Sequence, residues 1–179
     1  LNLKCAASTL ENRAQTIPQE AEMENIRFDD IEKLKSKVSP EYSGWSQAVE
    51  VTQDKINQFA DVTGDHQWIH IDIERSKRES PFGGPVAHGF LTLSLIPAFE
   101  IDAGWKVVGH RNVINYGANK LRFISPVPSG AKVHARSRLV AVEARPQGTQ
   151  VTQETTVHVV GQEKPALSYE GIFIYVKPQ

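Results

Sequence analysis

Three residues near the middle of the chain have the types and spacing to move a proton beside a polarised carbonyl group. Asp65 and His70 stand five residues apart in Thr63-Gly64-Asp65-His66-Gln67-Trp68-Ile69-His70. A carboxylate and an imidazole facing one water can take its proton and return it near neutral pH. Gly89 closes the run Phe82-Gly83-Gly84-Pro85-Val86-Ala87-His88-Gly89. In the first turn of a helix its N–H has no internal partner and carries part of the positive end of the helix dipole. With no side chain, glycine lets another molecule come close to that N–H. An oxygen that becomes negative during a reaction is stabilised by such a donor. The three together read as an acid/base pair facing an oxyanion site.

Several elements must hold these groups in place. Pro85 suits the first position of a helix, where its missing N–H costs nothing. Over residues 86–99 the only polar side chains are His88, Thr92 and Ser94. A helix apolar nearly all round is a buried one. Pro97 should kink or end it. Upstream, Thr52 caps a helix with Ile56, Phe59 and Ala60 at helical spacing, and Phe59 and Val62 are expected to face inward. Gly64 ends that helix in a left-handed cap, so Asp65 leaves it at a defined place. A short helix over 28–37 is expected to be capped by Asp29 or Asp30 and ended by Ser39-Pro40, and 74–79 forms a charged helix. Strand patterns cover 45–52, 107–115, 120–124, 132–144, 149–160 and 167–176, with a turn expected at Gly117 and others over 126–130 and 146–148. The expected architecture is α+β: one antiparallel β-sheet wrapped around a long central apolar helix.

With those motifs in view, a resemblance can be stated. Thr63-Gly64-Asp65, His70, Phe82-Gly83-Gly84, Ala87-His88-Gly89 and the later Asn115-Tyr116-Gly117 to Pro128 resemble the MaoC-like family of (R)-specific enoyl-CoA hydratases. The resemblance runs from about Trp45 to the end of the chain. It implies a hot-dog fold and syn addition of water to a trans-2-enoyl thioester, or the reverse dehydration. It assigns the catalytic aspartate to Asp65, the catalytic histidine to His70 and the oxyanion donor to Gly89. Trp68, Phe82, Gly84, His88, Phe90 and Ser94 are the expected substrate-binding positions. The expected partner is an acyl thioester of coenzyme A or of a carrier protein. No further cofactor is expected, coenzyme A being part of the substrate. A homodimer is expected, because hot-dog sheets commonly pair across a two-fold axis. The chain departs from the family where Gln67-Trp68 replaces the Asn-Pro of many members. A serine that supports the site in some members would fall near Pro97 in an ungapped alignment.

Composition bounds the alternatives. The chain has 179 residues and a net charge of −1, which is enough for one domain and leaves no basic field to attract nucleic acid. Residues 1–24 show no sustained period and read as a poorly ordered N-terminal extension before a single domain over 25–179. The only cysteine is Cys5, which excludes an intrachain disulfide and fits a cytoplasmic location; no stretch has the length and apolarity of a membrane span. His66 and His70, four apart, could bind zinc on a helix, but no third clustered ligand completes a site and no metal is expected. For His88, a ring bonded to backbone near the helix start is favoured over catalysis. Lys120, Arg122, Arg75, Lys77 and Arg78 read better as a solvated charged face than as phosphate ligands. Ser94 is expected to bond back to the carbonyl of Phe90. Two rival functions stay open at this level. One is a hot-dog thioesterase, although residues 89–99 hold no carboxylate and Glu100 comes only at the end. The other is a non-catalytic acyl-thioester binding module whose tunnel Trp68 blocks.

Overall fold

The computed structural model describes residues 23–179. Most of the expected 1–24 extension therefore lies outside the described residues, and Glu24 itself begins a strand, β1 (Glu24–Arg27). Next comes α1 (Ile31–Lys35), whose start is fixed by the Asp30 carboxylate accepting from Lys33 N–H. The strand expected over 45–52 is reduced to β2 (Val49–Glu50). The reason lies in the serines. Residues 39–46 run beside a later strand, but Ser43 and Ser46 use their hydroxyls as well as their backbone to bond Ser137 and Ala135. Side-chain acceptors replace part of the ladder, so the segment pairs without strand geometry.

The helix α2 (Gln53–Thr63) follows, with Thr52 as N-cap and Gly64 in the left-handed conformation at φ 76°, as its sequence predicts. Ile56 and Ala60 face the core. Val62 does not: it is 85% exposed, because two residues beyond Ala60 is the far side of a helix. Two short helices come next, α3 (Trp68–Ile71) and α4 (Ile73–Glu79).

The central helix is shorter than its apolar run predicts. It is α5 (Gly89–Ser94), followed by a 3-10 turn over Ile96–Ala98. Val86 and Ala87 are drawn out of the helix by β-type pairing: Val86 bridges Pro128, and Ala87 N–H donates to Val127 O. Pro85 thus lies ahead of the helix, and His88 is its N-cap.

The remaining strands are β3 (Trp105–Val108), β4 (Asn112–Phe123), β5 (Lys132–Arg145), β6 (Gly148–Val159) and β7 (Leu167–Val176). Gly117 is not a turn. The chain runs straight through it in β4, with register shifts between Asn115 and Gly117 and between Ala118 and Lys120. Bulges of this kind bend a strand and help a sheet to curl. The five-stranded sheet has order β2-β5-β6-β7-β4 and is antiparallel throughout, while β1 and β3 form a separate parallel pair.

Alternation along β5, β6 and β7 sends Val133, Ala135, Val157 and Leu167 to one face, where they enclose Leu91 of α5, Ala87 and Phe99. A second core lies farther along the same strands, where Leu139, Val142 and Val151 pack with Ile26 and Leu34. The fold class is the expected one, an antiparallel sheet over a helix. The first core anchors the start of α5, and through it the site.

Candidate active site

Asp65 and His70 come from opposite sides of a sharp change of direction. Gly64 ends α2 with its N–H on Ala60 O, and the chain then leaves as Asp65–Gln67 before α3 forms. Only a residue that tolerates positive φ makes that exit without strain. The Asp65 side chain is 58% exposed, and one carboxylate oxygen accepts weakly from Gln67 N–H. His70 is buried in α3. Its Nδ1 lies 2.7 Å from Val86 O. A carbonyl only accepts, so Nδ1 carries the proton and Nε2 presents a lone pair. Burial pushes the His70 imidazole below its ordinary value, and the neighbouring His88 adds to the shift. The Val86 bond thus orients the ring and leaves Nε2 as the nitrogen with the available lone pair.

His88 completes a group that spacing alone did not assemble. Its Nε2 donates to the Asp65 carbonyl at 2.9 Å, and it lies 4.0 Å from an Asp65 carboxylate oxygen. Its ring stacks on His70, with centroids 3.8 Å apart and planes 28° apart, and Phe59 packs nearby at 5.1 Å. The expected bond from this ring to backbone is present, made to the Asp65 loop rather than to its own helix. Asp65, His70 and His88 each place one ligand-type atom within 4.8 Å of the others. A metal would need both imidazole lone pairs to converge on one point about 2.0–2.1 Å away. The stacked rings, 28° apart, set their in-plane lone pairs side by side rather than facing one point, and a carboxylate beside an imidazole can pass a proton. His66, the other histidine of the sequence pattern, instead bonds Asp61 at 3.0 Å.

Gly89 opens α5, and among the described residues its N–H donates to no protein acceptor. Its missing side chain has a second use that spacing did not show. A Cβ placed there would lie 2.8–2.9 Å from ring atoms of Phe123. Gly89, Phe82, Ile69, Thr92 and Phe123 line an open cleft of about 340 Å³.

The other expected binding positions divide. Phe82 lines this cleft, and His88 belongs to the cluster with Asp65 and His70. Phe90 is 61% exposed and meets only the edge of Phe123. Trp68 turns away from the cleft, and its ring is covered by the Arg75 guanidinium at 4.4 Å. Gly84 has open space around it and does not line the cleft. Ser94 is exposed, and the back-bond within α5 is made by Thr92, to His88 O. Sequence reasoning missed Val86 O, which orients His70, and Gln53, whose side chain donates to His70 O at 2.7 Å. Neither carried a signal, because both partners lie more than fifteen residues away along the chain. A larger cavity, about 560 Å³, opens between the 101–110 segment and the sheet, where Ile101, Trp105, Leu139, Gln153 and Tyr175 line it.

Comparison with known proteins bears on the family and the fold. The MaoC like domain model matches residues 37–161. The chain is 50% identical over 150 residues to 3-hydroxyacyl-thioester dehydratase Z of Mycobacterium tuberculosis, covering 83% of this chain and 97% of that protein. Among solved structures, it is similar to a monoamine oxidase regulatory protein from Archaeoglobus fulgius, with TM-score 0.67, 24% identity and coverage of 88% of this chain and 99% of the other. It is also similar to the (R)-hydratase from A. caviae involved in PHA biosynthesis, with TM-score 0.60, 22% identity and coverage of 78% and 98%. A match over well more than half of the chain, and a relative at this identity covered almost end to end, place it plainly: this chain belongs to the MaoC-like dehydratase family.

Proposed function

We propose that the chain is a hydro-lyase that interconverts a trans-2-enoyl thioester and water with the (R)-3-hydroxyacyl thioester. The observation that carries the reading is that the Asp65 carboxylate and a ring nitrogen of His70 come within 4.8 Å of each other beside His88, which directly precedes the helix-start amide of Gly89. In the hydration direction the thioester oxygen accepts from Gly89 N–H, which draws electron density from the β-carbon. Asp65 and Nε2 of His70 hold one water between them. Its oxygen bonds to the β-carbon while Nε2 takes a proton. The double-bond pair moves toward the thioester oxygen as an enolate held at Gly89, and the proton returns from His70 to the α-carbon on the same face. Dehydration is the same path reversed. The relative's printed name, a 3-hydroxyacyl-thioester dehydratase, supports this reaction class.

The substrate is an acyl thioester of coenzyme A or of a carrier protein, with no other cofactor used by these steps. The working unit of this proposal is a homodimer. Strand β4 is a sheet edge, and Val113, Ile114, Tyr116 and Phe123 along it are exposed apolar side chains. Such an edge invites pairing with a second copy. A cytoplasmic location belongs to the same proposal; among the described residues no helix is long and apolar enough to cross a membrane.

The test is Asp65→Asn. An exposed side chain exchanged for its isostere leaves the fold intact, while loss of the carboxylate that holds and polarises the water beside His70 lowers turnover by about 10²- to 10⁴-fold. Loss of enoyl absorbance with crotonyl-CoA measures it, and near-normal turnover by the folded variant would reject the assignment. Release of free thiol without enoyl consumption would point to a thioesterase instead. Stabilisation by acyl-CoA without any turnover would point to a binding module.

A further inference from the structure

Within the proposed hydratase reading, we infer that His88 is a positioning residue: it holds the Asp65 main chain with one ring nitrogen while its face fixes the ring of His70, so it sets the gap in which both meet the water. Three observations carry this. His88 is 3% exposed and sits between Phe59 and His70, so its ring is not free to turn. Its Nε2–H donates to the Asp65 carbonyl at 2.9 Å, across twenty-three residues of sequence. It is the N-cap of α5 yet makes no side-chain cap bond there, so its hydrogen bonding is spent on the opposite loop rather than on its own helix.

The consequence is mechanical. Asp65 itself is otherwise tied only by weak local bonds among the described residues, its N–H to Thr63 Oγ1 and Gln67 N–H to its carboxylate, each 3.4 Å long, while the neighbouring His66 bonds outward to Asp61 at 3.0 Å. His88 is the firm tie of Asp65 to the buried part of the molecule. Because His88 directly precedes Gly89, the same residue also links the acid/base pair to the oxyanion donor. Carboxylate, imidazole and amide are thereby held as one unit. A misplacement of about 1 Å in such a unit costs on the order of 10²-fold in rate.

The experiment compares His88→Phe with His88→Gln in steady-state hydration of crotonyl-CoA across pH, with thermal melts of both. Phenylalanine keeps a flat ring between Phe59 and His70 but has no donor. Glutamine can place its amide nitrogen where Nε2 lies but has no ring. The expected result for H88F is a fall in kcat of about 10- to 100-fold with KM within about twofold. H88Q, which restores the donor but not the ring face, should recover part of that loss. Burial is the main cause of the lowered His70 imidazole and His88 a lesser one, so H88Q, which removes the ring and its charge, should move the acid limb of kcat/KM to higher pH. Wild-type kcat in H88F overturns the inference. Equal losses in H88F and H88Q that follow their melting temperatures also overturn it, and leave the ring as packing alone. These outcomes are separate from failure of the site itself. An active Asp65→Asn enzyme removes the hydratase site, whereas an inactive Asp65→Asn beside a fully active H88F removes only the role given to His88.

Discussion

Gly89→Ala tests whether the start of α5 is held by contact with β4. Gly89 has ordinary helical backbone, so alanine adds no torsional strain there. By propensity alone it would stabilise a helix by about 1 kcal/mol. The opposing term is steric. The new Cβ would lie 2.8 Å from one ring carbon of Phe123 and 2.9 Å from two others, below any ordinary contact. Inserting a methyl group into such a contact costs about 1–3 kcal/mol. The net expectation is a loss of about 0–2 kcal/mol, a small number that hides two larger ones. A double-mutant cycle separates them. In a Phe123→Ala background the obstacle is gone, and Gly89→Ala should then stabilise by about 1 kcal/mol. The coupling between the two sites should therefore be about 1–3 kcal/mol, read from urea melts. Turnover should follow: Gly89→Ala displaces the amide and lowers kcat, and the double variant regains part of it. Coupling below about 0.5 kcal/mol would refute the reasoning, because Phe123 would then be yielding freely.

Three further outcomes are expected. Gly64→Ala forces a side chain into φ 76° and should cost about 1–2 kcal/mol, with a fall in kcat because Asp65 is the next residue; Gly64→Asn should cost less. Stability should fall as pH drops. His70, His134 and His158 are all pushed below the ordinary imidazole value of 6.5, chiefly by burial. Lowered folded-state values mean that the unfolded chain binds protons first, so their stabilisation is complete above 6.5 and is lost as pH falls below it. Melting temperatures across that range check this, and a flat profile would contradict it. Tyr116→Lys places a charge on the exposed β4 edge, where Tyr116 is 64% exposed, and should convert a dimer to monomer in sedimentation. A wild-type chain that sediments as a monomer would remove the dimer.

The chain itself determined those parts whose causes are local. Thr52 and Gly64 mark both ends of α2 because a cap needs only neighbouring backbone. The long alternating runs of β5, β6 and β7 declare their strands for the same reason. Asp65 and His70 could be named together from residue type and order, and the fold does bring them within 4.8 Å of each other. Three features needed the folded molecule. Val86 and Ala87 looked helical until Val127 and Pro128 arrived to pair with them. Gly117 looked like a turn, but β7 pairs across it and makes a bulge of it. His88 looked like a residue of its own helix, and its partners proved to be the Asp65 carbonyl and the face of His70. In each case the deciding group lies far along the chain, and hydrogen-bond partners and stacking faces are properties of space that residue order does not carry.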